Sequence, residues 1–351
     1  MSDRSRNVPG TFRSDTMPAW RQHRYGEADT VALETAAVPA PGRGEALLRL
    51  RATGLNNGDT RVMRGEPRLV RLAFGLRRPR QAVRGIDAAG TVVAVGEGVT
   101  SFAVGDEVVG ELPAGGGLAQ YALAPAARLV RRPADLDPVV AAVLPVAGGT
   151  AWQALELAGV TDAAARRRSE PPRVLVIGAG GGVGTFTVLL AALRGARVWA
   201  LCGERNRALV ESLGAERVFD YRAVQPGSPE LPDGGFDAVI DIAGTARLRA
   251  LRGLVRDGGR VALVSGEGGR LLGPIGRIIA ATVRSIGSKR PLRPLAATPK
   301  TEVLERLLQL AASGALRPVI DRRYPFAEAG DALAYVADGH ATGKVVVLAA
   351  P

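Results

Sequence analysis

Apolar residues recur along this chain with two periods, and the change between them divides it. From Trp20 to Arg51 short alternating segments are broken by Pro39, Pro41 and Gly42. Glu45 to Ala52 sets alanine and leucines against charges, the pattern of a half-buried strand. Further strand and turn signals cover 85–96 and 104–110, with Gly105-Asp106 as a hairpin-type turn. Short strands with glycine turns at this spacing predict a small, mostly β, barrel-like domain. From Leu136 to Leu157 the spacing becomes helical, and a charged linker follows over 163–172. Val174 to Ile177 is then an unbroken apolar run, a buried strand. A glycine-dense turn, an apolar helix over 185–194 and a second strand over 196–202 come next. Helices over 206–213 and 246–255 alternate with strands over 217–221, 236–242 and 260–265. Such alternation predicts a parallel sheet with helices on both faces. Leu271 to Leu295 is apolar and basic. Pro274, Gly276 and Gly287 interrupt it, so a substrate-pocket or dimer-face loop is expected rather than a membrane-surface helix. A helix over 302–312, a strand over 322–326, a helix over 327–336 and a strand over 344–348 close the chain.

The stretch 174–207 organises the rest, because its turn has a chemical reason. Gly181 lets backbone approach a pyrophosphate, and Gly184 lets the helix sit close on the strand. Free N–H groups of Gly182 and Val183 at the helix start then face the phosphates. Ala179 replaces the first fingerprint glycine and still fits a tight turn. A glycine cluster alone is weak evidence, since 45 of 351 residues are glycine. The strands on either side make it a dinucleotide-binding unit. Residues 174–193 carry no charge, but five glycines and a β-branched start fit this unit better than a membrane span.

Composition narrows the chemistry. The chain is long enough for two domains, with 46% hydrophobic and 23% charged residues. The net charge of +12 comes almost wholly from arginine, since Lys289, Lys300 and Lys344 are the only lysines. The arginines are scattered without aromatic interleaving, so nucleic-acid binding is not expected. Cys202 is the only cysteine, and His23 and His340 are the only histidines. Disulfides within the chain and a thiolate zinc cage are excluded, and no metal site is expected. Residues 1–16 are polar, arginine-rich and without an apolar core. They read as a disordered extension, not a secretory signal, and a cytoplasmic protein is expected.

Ordered motifs then carry a resemblance. They are Ala52 to Asp59, Gly85 to Gly90, Val104 to Val108, Thr150-Ala-Trp152, Gly178 to Gly184, Leu213-Gly-Ala215, Phe219-Asp-Tyr221, Phe236 to Asp241 and Gly343 to Val346. Together, over 17–351, they resemble the medium-chain dehydrogenase/reductase superfamily, in its zinc-free quinone oxidoreductase and enoyl reductase branch. The resemblance implies a GroES-like catalytic domain over 17–140, completed by 300–351, and a Rossmann cofactor domain over 141–299. It implies a cleft between them and a homodimer. Zinc-dependent members carry a cysteine where Asn56 stands and a histidine where Ile86 stands, so zinc alcohol chemistry is not expected.

Cofactor choice is read at the end of the second Rossmann strand. NAD-using proteins usually place a carboxylate there. Here Cys202-Gly203 ends the strand and Arg205 and Arg207 follow, suited to a 2′-phosphate. Tyr221 matches a position that packs near the adenosine end in similar reductases. Glu204 argues the other way, and NADPH is expected over NADH. The nicotinamide end is expected near Thr150, Ala243, Gly244, Ser265 and Gly266.

The resemblance thus implies hydride transfer from NADPH to a quinone or an α,β-unsaturated carbonyl compound. Asn56 is the candidate donor to the substrate oxygen. Thr150 is a candidate to hold the carboxamide or substrate. Asp59 is a candidate proton relay or a buried helix-start residue. A specialised biosynthetic enzyme on the same fold, and a cofactor-binding protein without turnover, are the alternatives.

Overall fold

The structure is a computed structural model, and it describes residues 15–113, 115–163, 169–264 and 273–350. The chain opens with an antiparallel pair, β1 (Thr16–Gln22) and β2 (Val31–Ala37). Thr16, expected within the N-terminal extension, pairs with Ala37 as the first strand residue. Residues 1–14 lie outside the described residues.

A seven-stranded sheet follows, built from β3 (Glu45–Leu55), β4 (Asp87–Val95), β5 (Glu107–Glu111), β6 (Tyr121–Pro125) and β7 (Leu129–Arg131). Its two remaining strands come from the far end of the chain, β14 (Ile320–Tyr324) and β15 (Lys344–Leu348). The path runs β14-β15-β3-β4-β5-β7, with β6 on β3. Inward residues such as Leu48, Leu50 and Val108 are at most 2% exposed, the one-sided burial that alternation predicts. Helices α1 (Asn57–Arg64) and α2 (Val70–Phe74) lie between β3 and β4.

Helices α3 (Pro138–Ala141) and α4 (Gly149–Leu157), separated by a π-helical turn over Leu144–Gly148, lead to the second sheet. That sheet is wholly parallel: β8 (Arg173–Ile177), β9 (Arg197–Cys202), β10 (Ala215–Asp220), β11 (Phe236–Asp241), β12 (Val255–Leu263) and β13 (Leu292–Pro294). Its order, β10-β9-β8-β11-β12-β13, reverses direction beside β8. The helices α5 (Gly182–Leu193), α6 (Arg207–Ser212), α7 (Leu248–Leu254) and α8 (Ile275–Ser285) connect its strands. Helices α9 (Thr301–Ala312) and α10 (Ala329–Ala337) complete the chain. Val174, Leu175 and Val176 are fully buried because helices cover both faces, which is why that run is uncharged.

The stretch expected as a loop over 271–295 contains an eleven-residue helix, α8. Pro274 occupies its N-cap position and Gly287 follows its end, so neither breaks it. Gly276 falls in its first turn. No helix among the described residues is long and apolar enough to cross a membrane.

Candidate functional site

The turn after β8 is shaped by contacts a side chain would forbid. Gly178 has φ 90°, a left-handed conformation that favours glycine. A Cβ on Gly184 would stand 2.1 Å from the Gly178 carbonyl oxygen, so α5 can lie this close to β8 only with glycine there. Gly181 is the N-cap of α5, and a Cβ on it would meet nothing nearer than 3.9 Å. The first N–H groups of α5, from Gly182 onward, have no intrahelical acceptor. Open space above bare backbone donors is the cradle an anionic pyrophosphate fits.

Beside this turn lies a cleft of about 880 Å³, lined by Gly178, Gly180 and Gly181. The carboxyl ends of β9, β10 and β11 complete it through Cys202, Gly203, Arg205 and Asn206, through Tyr221-Arg222, and through Ala243 and Thr245 to Arg247. This is where an open α/β sheet binds ligands, at the point where strand order reverses. Asn206 is buried against Gly180, and its amide oxygen accepts from the Thr342 hydroxyl at 2.9 Å. It fastens the turn to the segment before β15. Burial pushes the Cys202 thiol up to about 11, so it stays protonated and is no nucleophile.

The basic residues sort themselves by geometry. Arg205 lines the cleft and donates to the His340 carbonyl. Arg222 lines it too, stacked 4.6 Å over the Tyr221 ring. Arg207 turns away from it, paired through two nitrogens with Glu204 at 2.7 Å and bonded to the Val218 carbonyl. That pairing also compensates the Glu204 charge, which had argued against a phosphate. Neither Glu204 nor Arg207 lines the cleft. Ala243 does, whereas the Gly244 N–H is spent on Asp241 Oδ1 at 3.0 Å, a turn contact. Ser265 and Gly266 lie outside the described residues.

The residues expected to act on substrate are arranged differently. Asn56 is 9% exposed and its amide is fully engaged. Its nitrogen donates to Asp87 Oδ2 at 3.0 Å and the Gly54 carbonyl at 3.3 Å. Its oxygen accepts from Lys344 Nζ at 2.5 Å. Both amide hydrogens are therefore committed inside the protein, which corrects the expectation that they meet a substrate oxygen. Asp59 is likewise closed. Its two oxygens accept from the backbone N–H groups of Asn56 (2.9 Å) and Gly85 (3.0 Å). That is the arrangement of a buried carboxylate tying a helix start, not of a proton relay. Burial pushes its carboxyl up to about 6. Thr150 lies apart from the large cleft, in a small cavity of about 80 Å³ with Glu111, Arg128 and Gln153. Burial, with Asp87 nearby, pushes Glu111 up to about 7.

Lys344 joins these two regions, and sequence reasoning passed over it. Its ammonium, 2% exposed, donates to the Leu55 carbonyl (2.8 Å), to Asn56 and to Asp87 (3.3 Å). Its aliphatic stem runs within 3.0 Å of where a Gly182 Cβ would stand. Gly343 donates to the Gly180 carbonyl at 2.9 Å. One residue pair thus binds the dinucleotide turn on one side and Asn56 on the other. The signal was available, since a lysine between glycine and three valines in an otherwise lysine-poor chain is conspicuous. Arg222, by contrast, had no local signature.

A parallel six-stranded sheet with a glycine turn at its reversal, beside a second sheet closed by the chain's last strands, has the architecture of a nucleotide-binding α/β protein. Residues 42–134 match the alcohol dehydrogenase GroES-like domain, and residues 213–347 match a zinc-binding dehydrogenase family. The chloroplast envelope quinone oxidoreductase homolog of Arabidopsis thaliana is 38% identical over 88% of this chain and 91% of its own. An NADPH-dependent alkenal/one oxidoreductase of the same plant, also chloroplastic, is 30% identical over 95% of this chain and 80% of its own. The quinone oxidoreductase of Coxiella burnetii superposes with a TM-score of 0.82 at 26% identity, over 95% of this chain and all of its own. The chain belongs to the medium-chain dehydrogenase/reductase superfamily, in its quinone oxidoreductase branch. The expected cytoplasmic location is corrected by these relatives, whose names place them in the chloroplast. Net charge and the polar composition of residues 1–16 do not encode a compartment by themselves.

Proposed function

We propose that this chain reduces quinones or α,β-unsaturated carbonyl compounds with NADPH and without a metal. The names of its relatives supply the substrate class. The observation that carries the cofactor reading is the cleft itself. Arg205 and Arg222 line its adenosine end while Glu204 is neutralised outside it. Two guanidiniums around a phosphate suit the 2′-phosphate of NADPH better than a bare ribose.

The bound nicotinamide would supply the hydride. The chain's own groups bind and orient. The turn of Gly181, Gly182, Val183 and Gly184 cradles the pyrophosphate. Tyr221, 48% exposed, offers its ring to the adenine. Ala243 borders the path toward the nicotinamide end. Asn56 acts at one remove, holding the backbone between β3 and α1 against Lys344 and Asp87. Thr150 shapes the smaller cavity. Metal-free chemistry fits a chain with Asn56 and Ile86 at the positions where zinc-dependent relatives carry cysteine and histidine. Among the described residues no group of three His, Cys, Asp or Glu side chains could hold a metal ion. A homodimer belongs to the same proposal.

The test is NADPH consumption by the purified chain with a simple quinone or enone, repeated with NADH and with a chelator. Chelator-insensitive turnover that prefers NADPH is expected. Equal use of NADH, or loss of activity to the chelator, would overturn the cofactor or the metal-free part respectively.

A further inference from the structure

A buried ion pair stands beside the cofactor cleft without lining it. The strand β11 ends on Asp241, whose side chain is 0% exposed, and Arg277 of α8 meets it with a side chain 14% exposed. Arg277 is the third residue of α8, at the end of the helix dipole that disfavours a cation. Its charge therefore does nothing for its own helix, and what it serves lies at the end of β11.

The guanidinium holds two points of one segment. One nitrogen donates to Asp241 Oδ2 at 2.7 Å, and another to the Ala246 carbonyl at 2.6 Å. Asp241 Oδ1 accepts in turn from the Gly244 N–H at 3.0 Å, and Gly244, at φ 74°, reverses the chain between the two points. The near edge of the segment is tied to the dinucleotide turn. Ile242 and Ala243 both donate to the Ile177 carbonyl, at 3.0 and 3.3 Å. A Cβ on Gly178 would stand 3.2 Å from the Ala243 nitrogen. Ala243, Thr245 and Ala246 line the cleft, whereas Arg277 does not. Residues 242–246 are thus a wall strung between Gly178 and Arg277.

We propose that Arg277 is a positioning residue for the cofactor, fixing the wall of Ala243, Thr245 and Ala246 against the dinucleotide turn. This rests on the reading of the cleft as the NADPH site. A counter-charge for Asp241 would need only the bond to its carboxylate. The second nitrogen is spent on the carbonyl of a cleft-lining residue. A planar guanidinium holds both acceptors at a fixed angle, which the point charge of an ammonium does not. Without that fork the turn keeps only the bond from Gly244 to Asp241, and the arriving nucleotide has to order the wall itself.

The experiment is fluorescence titration of the full chain with NADPH, together with denaturant unfolding of the same preparations. R277M leaves the Asp241 carboxylate buried without its cation, so its unfolding midpoint should fall. D241N/R277M removes both charges and keeps a side-chain oxygen for Gly244, so its midpoint should return most of the way. Both should bind NADPH about ten-fold more weakly, the upper end of what one hydrogen bond contributes. A double variant that recovers its midpoint and binds NADPH as the unaltered chain does overturns the proposal, because the pair then serves stability alone. So does a folded R277M chain with unaltered affinity. An unaltered chain that binds neither NADPH nor NADH overturns the cofactor reading first, and the proposal with it.

Discussion

In the cleft beside the dinucleotide turn, the Arg222 side chain is 65% exposed and Tyr221 is 48% exposed. A few residues away in space, around Lys344, the side chains of Lys344 and Asp87 are 2% and 0% exposed. Both regions are polar and both touch the turn of Gly180 to Gly182. In the first, the donors are exposed and only partly spent: Arg222 stands 3.5 Å from Asp220 Oδ1 and Arg205 donates to the His340 carbonyl. In the second, every hydrogen of the Asn56 amide already has a partner. A ligand site needs unspent donors, whereas a joint between two sheets needs them all spent, because an unpaired buried group is costly. Residue type alone did not separate the two, since the family position of Asn56 suggested the open kind and its surroundings make it the closed kind.

Four predictions press on this contrast. Lys344→Met should have the largest effect, because it leaves the Asp87 carboxylate buried without its cation, a loss of about 3–5 kcal/mol. Denaturant unfolding measures it, and adding Asp87→Asn should restore much of the loss. A single-variant loss no larger than that of an exposed pair would show that the joint carries little. Next, Gly184→Ala forces a Cβ onto the Gly178 carbonyl. Pushing α5 off β8 by even a fraction of this distance should weaken NADPH binding by about 100-fold. Fluorescence titration of NADPH reads this, and an unaltered affinity would remove the turn from the site.

Arg222→Ala should raise the NADPH dissociation constant by about ten-fold, the worth of one charge-assisted bond, with NADH unchanged. An equal loss for both nucleotides would mean that Arg222 only holds the Tyr221 ring. The smallest effect concerns pH. Asp59, near 6, and Glu111, near 7, are both raised by burial. A carboxyl raised in the folded state binds more protons there than when unfolded, so stability falls as pH rises from about 4 to about 7. Glu111→Gln should flatten that slope by about 1 kcal/mol, after allowance for the partial exposure of Glu111. Unfolding curves at pH 5 and pH 7.5 decide it, and an unchanged slope would place the titration elsewhere.

Much of this was legible along the chain. The apolar run of β8, the glycines after it and the alternation of helices and strands to residue 264 are local patterns with local causes. The basic residues over 67–80 stand in the sequence too, but they read there only as scattered arginines, and their exposure is not legible. The helix α8 was misread because proline and glycine were taken as interruptions. Pro274 sits where a helix has no N–H bond to lose, and Gly287 lies past its last turn. Arg205 and Arg207 look equivalent in sequence, yet one faces the cleft and the other Glu204. Two residues apart on a helical start, they point to different sides, and only the position of β10 decides which side has an acceptor.

The sequence by itself determined the parallel nucleotide-binding sheet, the glycine turn and the lack of cysteine and histidine for a zinc cage. Each follows from side-chain period or from residue counts, which need no partner to be read. Tertiary structure alone decided that Lys344 meets Asn56 and Asp87 across 288 and 257 residues of chain. It alone decided that Glu204 is neutralised, and that Arg277 reaches Asp241. Those facts depend on which distant groups come within bonding distance, and pairings of that range leave no periodic trace in the chain.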